Sequence, residues 1–260
     1  MTATFRFSTT FILLIALLPS CDQSTEPGPG TSGPVMTPAR LDLLENDTRE
    51  DIAADAYVLA LREMCLDSSR VYSDIVIDEG FRSIYEHALG HVSLAKRIDA
   101  VDSLQGIHAL PRYAMKEFLL LVGNVSWLEH WKQGNRMTGI DDIDRMMLKW
   151  ELEVSKVSEM TYGTMVILSS PLPRNMDALA WQFNPLNGFS THGIRIAEPN
   201  HFYGDGPDIE GEITEQGVIL HYSMKWGDCP SGCIYRHTWE FLVTWSGSVS
   251  LTSITGLDLP

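Results

Sequence analysis

Between residues 234 and 245 the chain alternates strictly. Tyr235, His237, Trp239, Phe241, Val243 and Trp245 fall on one side, and Arg236, Thr238, Glu240 and Thr244 on the other. Successive strand side chains point to opposite faces, so this pattern predicts a long strand with one face in a core. Further strands are predicted at 209–213, 218–226 and 248–254, separated by Glu215-Gln216-Gly217, a cysteine turn and Ser246-Gly247. Connections this short join antiparallel neighbours, so residues 201–260 read as a β-meander.

The preceding residues change period. Over 51–65 Ile52, Ala56 and Leu59 recur at helical spacing, and after Asp78, a good N-cap, Phe81, Ile84, Ala88 and Val92 share one stripe. Residues 51–110 are therefore a helical segment. From 111 to 200 the prediction is a strand over 115–122, helices at 126–133 and 140–150, and a short alternating segment over 152–157. A strand over 164–169, a helix over 173–183 and a strand over 192–197 follow. The run from Met115 to Val122 is a short apolar stretch bounded by Pro and Gly, which suits a buried strand. The order β-α-β-β-α-β predicts a ferredoxin-like region in which four antiparallel strands carry helices on one face. The expected fold class is α+β, with N-terminal helices, this core and the C-terminal meander, the last two packed as one domain.

Composition narrows the function classes. Hydrophobic residues make up 44% of the 260 and aromatics 9%, which excludes disorder for the body of the chain. The formal charge is −15, and the Lys and Arg are scattered singly, so no nucleic-acid partner is expected. The eight apolar residues from Phe11 to Leu18 are too few to span a bilayer but suit the h-region of an export signal. Leu18-Pro19-Ser20-Cys21 resembles the end of a bacterial lipoprotein signal, with Cys21 acylated as the new N-terminus. That resemblance implies a signal peptide over 1–20 and a lipid anchor with a Pro- and Gly-rich tether over 21–50. It also implies an extracytoplasmic place in the envelope, with membrane contact through the Cys21 lipid.

In an oxidising compartment Cys229-Pro230-Ser231-Gly232-Cys233 reads as a disulfide across a tight turn. A redox pair normally has two intervening residues, and a zinc site needs a second Cys or His pair, which is lacking. Cys65 is left as a buried free thiol. Asp228 and Arg236 flank the hairpin and are candidate binding residues, because exposed tips collect such groups; the alternative is a structural role for both.

Other candidates are weaker. His87 and His91 lie four apart on a helix, but Ala88 stands where a metalloprotease has its Glu, so no metal site is expected. Asp205, Asp208, Glu210 and Glu212 crowd one loop without the register of a calcium-binding EF-hand. His237 falls on an apolar face, as a core histidine. Trp127 and Trp131, at helical spacing, read as core before sugar platform, and Trp150 as a third aromatic. No catalytic set and no cofactor is expected.

Trp226-Gly-Asp-Cys-Pro-Ser-Gly-Cys-Ile-Tyr-Arg236, with Ile196-Ala-Glu-Pro-Asn200 and Gly204-Asp-Gly206, resembles a group of uncharacterised secreted and lipid-anchored bacterial proteins. That resemblance implies no activity. Residues 166–200 resemble the second half of the propeptides that inhibit subtilisin-like proteases, which are also ferredoxin-like. The expectation is a non-enzymatic binding or envelope-interaction module, with a hydrolase as alternative and a propeptide-like protease inhibitor third. A pocket of converging polar groups with perturbed pKa values marks the enzyme, and an exposed apolar patch the interaction module.

Overall fold

The computed structural model describes residues 35–202 and 204–259. The expected signal peptide, Cys21 and most of the expected tether lie outside the described residues. From Val35 on, the stretch expected as tether belongs to the fold. Met36 is buried, the Thr37 N–H donates to the Trp245 carbonyl at 2.9 Å, and the Thr37 carbonyl lies 2.8 Å from His91 Nε2. An apolar anchor and a bond to the meander outweigh the proline-rich composition here.

Two helices come first, α1 (Asn46–Met64) and α2 (Glu79–Leu94). The Asp78 carboxylate caps α2 as expected, accepting from the Gly80 and Phe81 amides at 2.9 and 3.3 Å. Such a cap contributes about 1 kcal/mol. The buried stripe of α2 is Tyr85, Ala88, Leu89 and Val92, with Phe81 and Ile84 half-buried beside it.

The first sheet contains β1 (Tyr113–Val122), β2 (Glu153–Met160), β3 (Gly163–Ser169) and β4 (Ile194–His201), in the order β2-β3-β1-β4, with every pair antiparallel. Between β1 and β2 come α3 (Leu128–Lys132) and α4 (Asp141–Lys149), and between β3 and β4 comes α5 (Met176–Gln182). This is the connection order of the predicted split βαβ arrangement. The Asn175 side chain caps α5, and Phe183 just beyond it stacks on Phe118 of β1 with ring centroids 5.4 Å apart. Phe118, Leu120, Val122, Val166 and Leu168 are fully buried on that side, each contributing roughly 1.5–3 kcal/mol.

The apolar run of β1, expected as a buried strand, is fully buried on one face only. Leu119 and Leu121 of β1 and Met165 and Ile167 of β3 are only half-buried, and Ile196 of β4 is 41% exposed. All five stand apart from the core cluster. The helices cover one face of this sheet, and no described segment covers the other.

The second sheet is the predicted meander of β5 (Asp208–Ile213), β6 (Gly217–Trp226), β7 (Tyr235–Thr244) and β8 (Val249–Gly256), paired in sequence order. Trp239, Phe241 and Val243 are buried on the face that alternation assigned them. The α1–α2 hairpin lies against this sheet so closely that Tyr85 sits over Gly211, where a Cβ would come within 2.4 Å of its ring. One core cluster runs through both sheets. No described helix is long and apolar enough to cross a membrane.

Candidate functional site

Along α1, Thr48, Asp51, Ile52 and Asp55 are spaced to share one face, and Asp55 falls inside the apolar stripe formed by Ile52, Ala56 and Leu59. The fold therefore buries its carboxyl: Asp55 is 6% exposed. Oδ1 accepts the Ala109 N–H at 2.8 Å, and Oδ2 lies 3.2 Å from Nδ1 of His108, whose side chain is 49% exposed. Burial pushes the Asp55 pKa up from 3.8 to about 6, against the lowering effect of the Ala109 amide and His108. A carboxyl that changes charge near neutral pH, beside an imidazole, is a marker of a functional site.

These groups stand in the wall of a cavity of about 470 Å³. The helical walls are α1 and the C-terminal half of α2, a third wall is the chain from Lys96 to His108, and Ile209 and Tyr222 of the meander close it. Glu45, Asp51 and Asp55 bring three carboxyls to it, against Lys96 and His108. Burial also raises the pKa of Tyr222, whose ring is held edge-on against Phe241 at 5.8 Å. The volume falls within the ~300–1,000 Å³ of pockets that hold small ligands.

A second, smaller pocket of about 230 Å³ lies farther along α1, between Leu61, Cys65, Arg112 and Asp177. Cys65 is half-buried here, where a buried thiol was expected, because its position on α1 opens onto this pocket. Its pKa is raised, chiefly by burial, so it is not an activated nucleophile.

The residues singled out in the sequence do not converge. Cys229 and Cys233 form the expected disulfide. Asp228 is exposed, with no side-chain hydrogen bond among the described residues, and Arg236 lies 3.7 Å from Glu210 of β5, so no shared site joins the two. The acidic loop is dispersed by its own strand. Asp205 pairs with Lys225 at 2.9 Å and accepts the Gly206 amide, which together lower its pKa, whereas Asp208 is buried against Arg62 at 3.0 Å. His87 and His91 are likewise separated in role: His91 is spent on Thr37, and burial lowers the pKa of His87. Among the described residues no cluster of three or more His, Cys, Asp or Glu has metal-binding geometry. Trp127 and Trp131 are core, packed edge-to-face at 5.0 Å, while half-buried Trp150 stacks against Arg174 at 5.5 Å. His237 sits at the open end of its strand, where Nδ1 lies 2.6 Å from the Leu257 carbonyl; it is half-buried, not a core histidine.

Sequence reasoning missed Asp55, His108 and Tyr222. One signal was available: an acid at position 55 inside an apolar helical stripe has to be buried with a partner or face a cavity. Comparison with protein-family models, curated proteins and solved structures finds no match to this chain.

Proposed function

We propose that this chain is a lipid-anchored extracytoplasmic binding protein whose 470 Å³ cavity takes a small ligand carrying a protonated amine. The observation that carries this reading is the buried Asp55 carboxyl in the cavity wall, with Asp51 and Glu45 beside it. Three carboxyls facing one lysine and one half-exposed imidazole favour a cation, and a low-dielectric wall strengthens that attraction. The apolar part of the lining, with Leu89, Val92 and Ile209, suits the carbon body of such a ligand. The Cys229–Cys233 disulfide is compatible with an oxidising compartment. The lipid rests on the sequence around Cys21 and is tested by fractionating cells that carry Cys21→Ala.

Calorimetric titration with putrescine and glucosamine, against butanediol and glucose as uncharged counterparts, tests the cavity. Binding of the amines alone, lost in Asp55→Asn, is the expected result. Equal or absent binding of both classes overturns it.

A hydrolase is the second reading, favoured by the Asp55–His108 pair, which has the geometry of a general base held by a carboxylate. It is separated from the first by His108→Ala, which abolishes turnover of an ester or amide substrate in a hydrolase and leaves amine binding nearly intact in a binding protein. The propeptide-like inhibitor ranks third, because the chain continues from β4 into the meander.

A further inference from the structure

We infer that the uncovered face of the first sheet is a self-complementary surface that pairs with the same face of a second copy of this chain. Register fixes the layout of this face. One row crosses the sheet as Lys156, Ile167, Leu119 and Glu198, and the next as Ser158, Met165, Leu121 and Ile196. Four aliphatic and thioether side chains thus form the centre, Ile196 extends it on β4, and a cation and an anion stand at opposite ends of one row. Arg195 closes one end of the face, reaching from β4 to the Tyr162 carbonyl at 2.7 Å.

Two arguments lead to a second copy: the first says that this face is covered, and the second names what covers it. First, strands buried on both faces read as continuous apolar runs, and the run from Phe118 to Val122 has that pattern although described segments cover only one side. The chain is written for a cover on the other side. Second, the charges are complementary under a two-fold axis. When two copies stack face to face about an axis parallel to the strands, β2 of each lies over β4 of the other. Lys156 then meets Glu198 of the second copy, Glu198 meets Lys156, and Ile167 meets Leu119. Neither Lys156 nor Glu198 is engaged in an ion pair among the described residues, and both are exposed. An isologous contact requires this kind of self-complementarity.

Area sets the strength. Four strands about 4.8 Å apart, each about seven residues long at ~3.3 Å per residue, give a face of roughly 450 Å². Two such faces fall at the low end of specific interfaces, so the dimer is weak and concentration-dependent. Sheets packed this way lie about 10 Å apart, close enough for the five apolar side chains to interdigitate.

Sedimentation of the full chain over a concentration series tests this surface. The expected result is a reversible monomer–dimer equilibrium. Lys156→Glu and Glu198→Lys should each weaken homodimerisation about ten-fold or more, because each places two like-charge pairs across the axis. Mixed in equal amounts, the two variants should dimerise with each other as tightly as the parent, since one Lys156–Glu198 pair is then kept and the other is restored with its charges exchanged. Leu121→Asp should give a monomer whose melting temperature stays close to the parent value. Sedimentation as a monomer throughout overturns the inference. So does a dimer indifferent to both charge reversals, and so does a face covered by residues 1–34 of the same chain, revealed by dimerisation that begins only when they are removed.

Discussion

Asp55 Oδ2 lies 3.2 Å from His108 Nδ1, joining a buried carboxyl on α1 to an exposed ring on the segment that leads into β1. The pair sets a pH dependence whose sign is opposite to that of an ordinary salt-bridged acid. The folded chain holds the Asp55 proton more tightly, with a value of about 6 against 3.8. Its contribution to stability is therefore present below pH 3.8 and lost as pH rises through about 6. A shift of this size corresponds to about 3 kcal/mol. Urea midpoints of Asp55→Asn, compared with the parent across this range, should lack that decline. A variant that declines in parallel with the parent would remove Asp55 as its source. Asp55→Ala should lose a further ~1–3 kcal/mol at every pH, because the buried Ala109 N–H loses its acceptor.

Amine binding should follow the same titration in the opposite sense. An ionised Asp55 attracts a cation and a protonated one does not, so affinity for putrescine should rise as pH increases through about 6. Calorimetry at one pH on each side of that value reads the change, and Asp55→Asn should bind the amine at neither.

Arg62 ties α1 to two distant parts of the chain. It donates to the Ile209 and Leu110 carbonyls at 2.7 and 2.6 Å and pairs with Asp208 at 3.0 Å. Arg62→Ala leaves Asp208, itself 6% exposed, as an uncompensated buried charge. Breaking such a pair costs about 3–5 kcal/mol. Denaturant unfolding should show a loss of that order, and Asp208→Asn a smaller one, because the Leu110 amide keeps an acceptor.

The hairpin disulfide closes a loop with a sequence separation of 4, and chain entropy gives only about 2 kcal/mol for so short a loop. Reduction should lower the melting temperature without abolishing folding. Thiol labelling of a Cys21→Ala chain under denaturing conditions should find Cys65 alone before reduction, and Cys65, Cys229 and Cys233 after it.

Gly211→Ala should be destabilising by about 1–3 kcal/mol, since the new methyl lands 2.4 Å from the ring of Tyr85 and that ring has no room to retreat. Tyr85 is 1% exposed and donates its hydroxyl to Glu63 at 2.7 Å. Gly206→Ala, with open space around the added atom, is the matched control.

Alternation and turn residues were enough to place the meander, because period two assigns a side chain to a face without reference to anything distant. Depth is another matter. Tyr235 and His237 share the face of Trp239, yet they run beyond the helices that cover it and stay partly exposed. The order of the first sheet was also legible, since two helices flanking a hairpin leave few right-handed solutions. The candidate cavity was not. It is assembled from α1, α2, the 96–108 chain and two meander strands, and no local pattern records which of these meet. The same limit applies to β1, where an apolar run announces two buried faces and cannot say which molecule covers the second.

The amides of Ala109 and Leu110 are neighbours, but their acceptors, Asp55 and Asp208, come from opposite ends of the described chain. The second of these bonds spans 98 residues, and the Arg62–Ile209 bond beside it spans 147. A ribosome must therefore deliver the chain as far as Asp208 and Ile209 before this clasp can close. Until then the α1–α2 hairpin has no sheet to lie on, and β1 emerges with its leading end untied. Such long-range closure makes folding slow and late in synthesis. A chain that stays open until residue 209 has emerged remains threadable up to that point, and only then gains the contact that locks it.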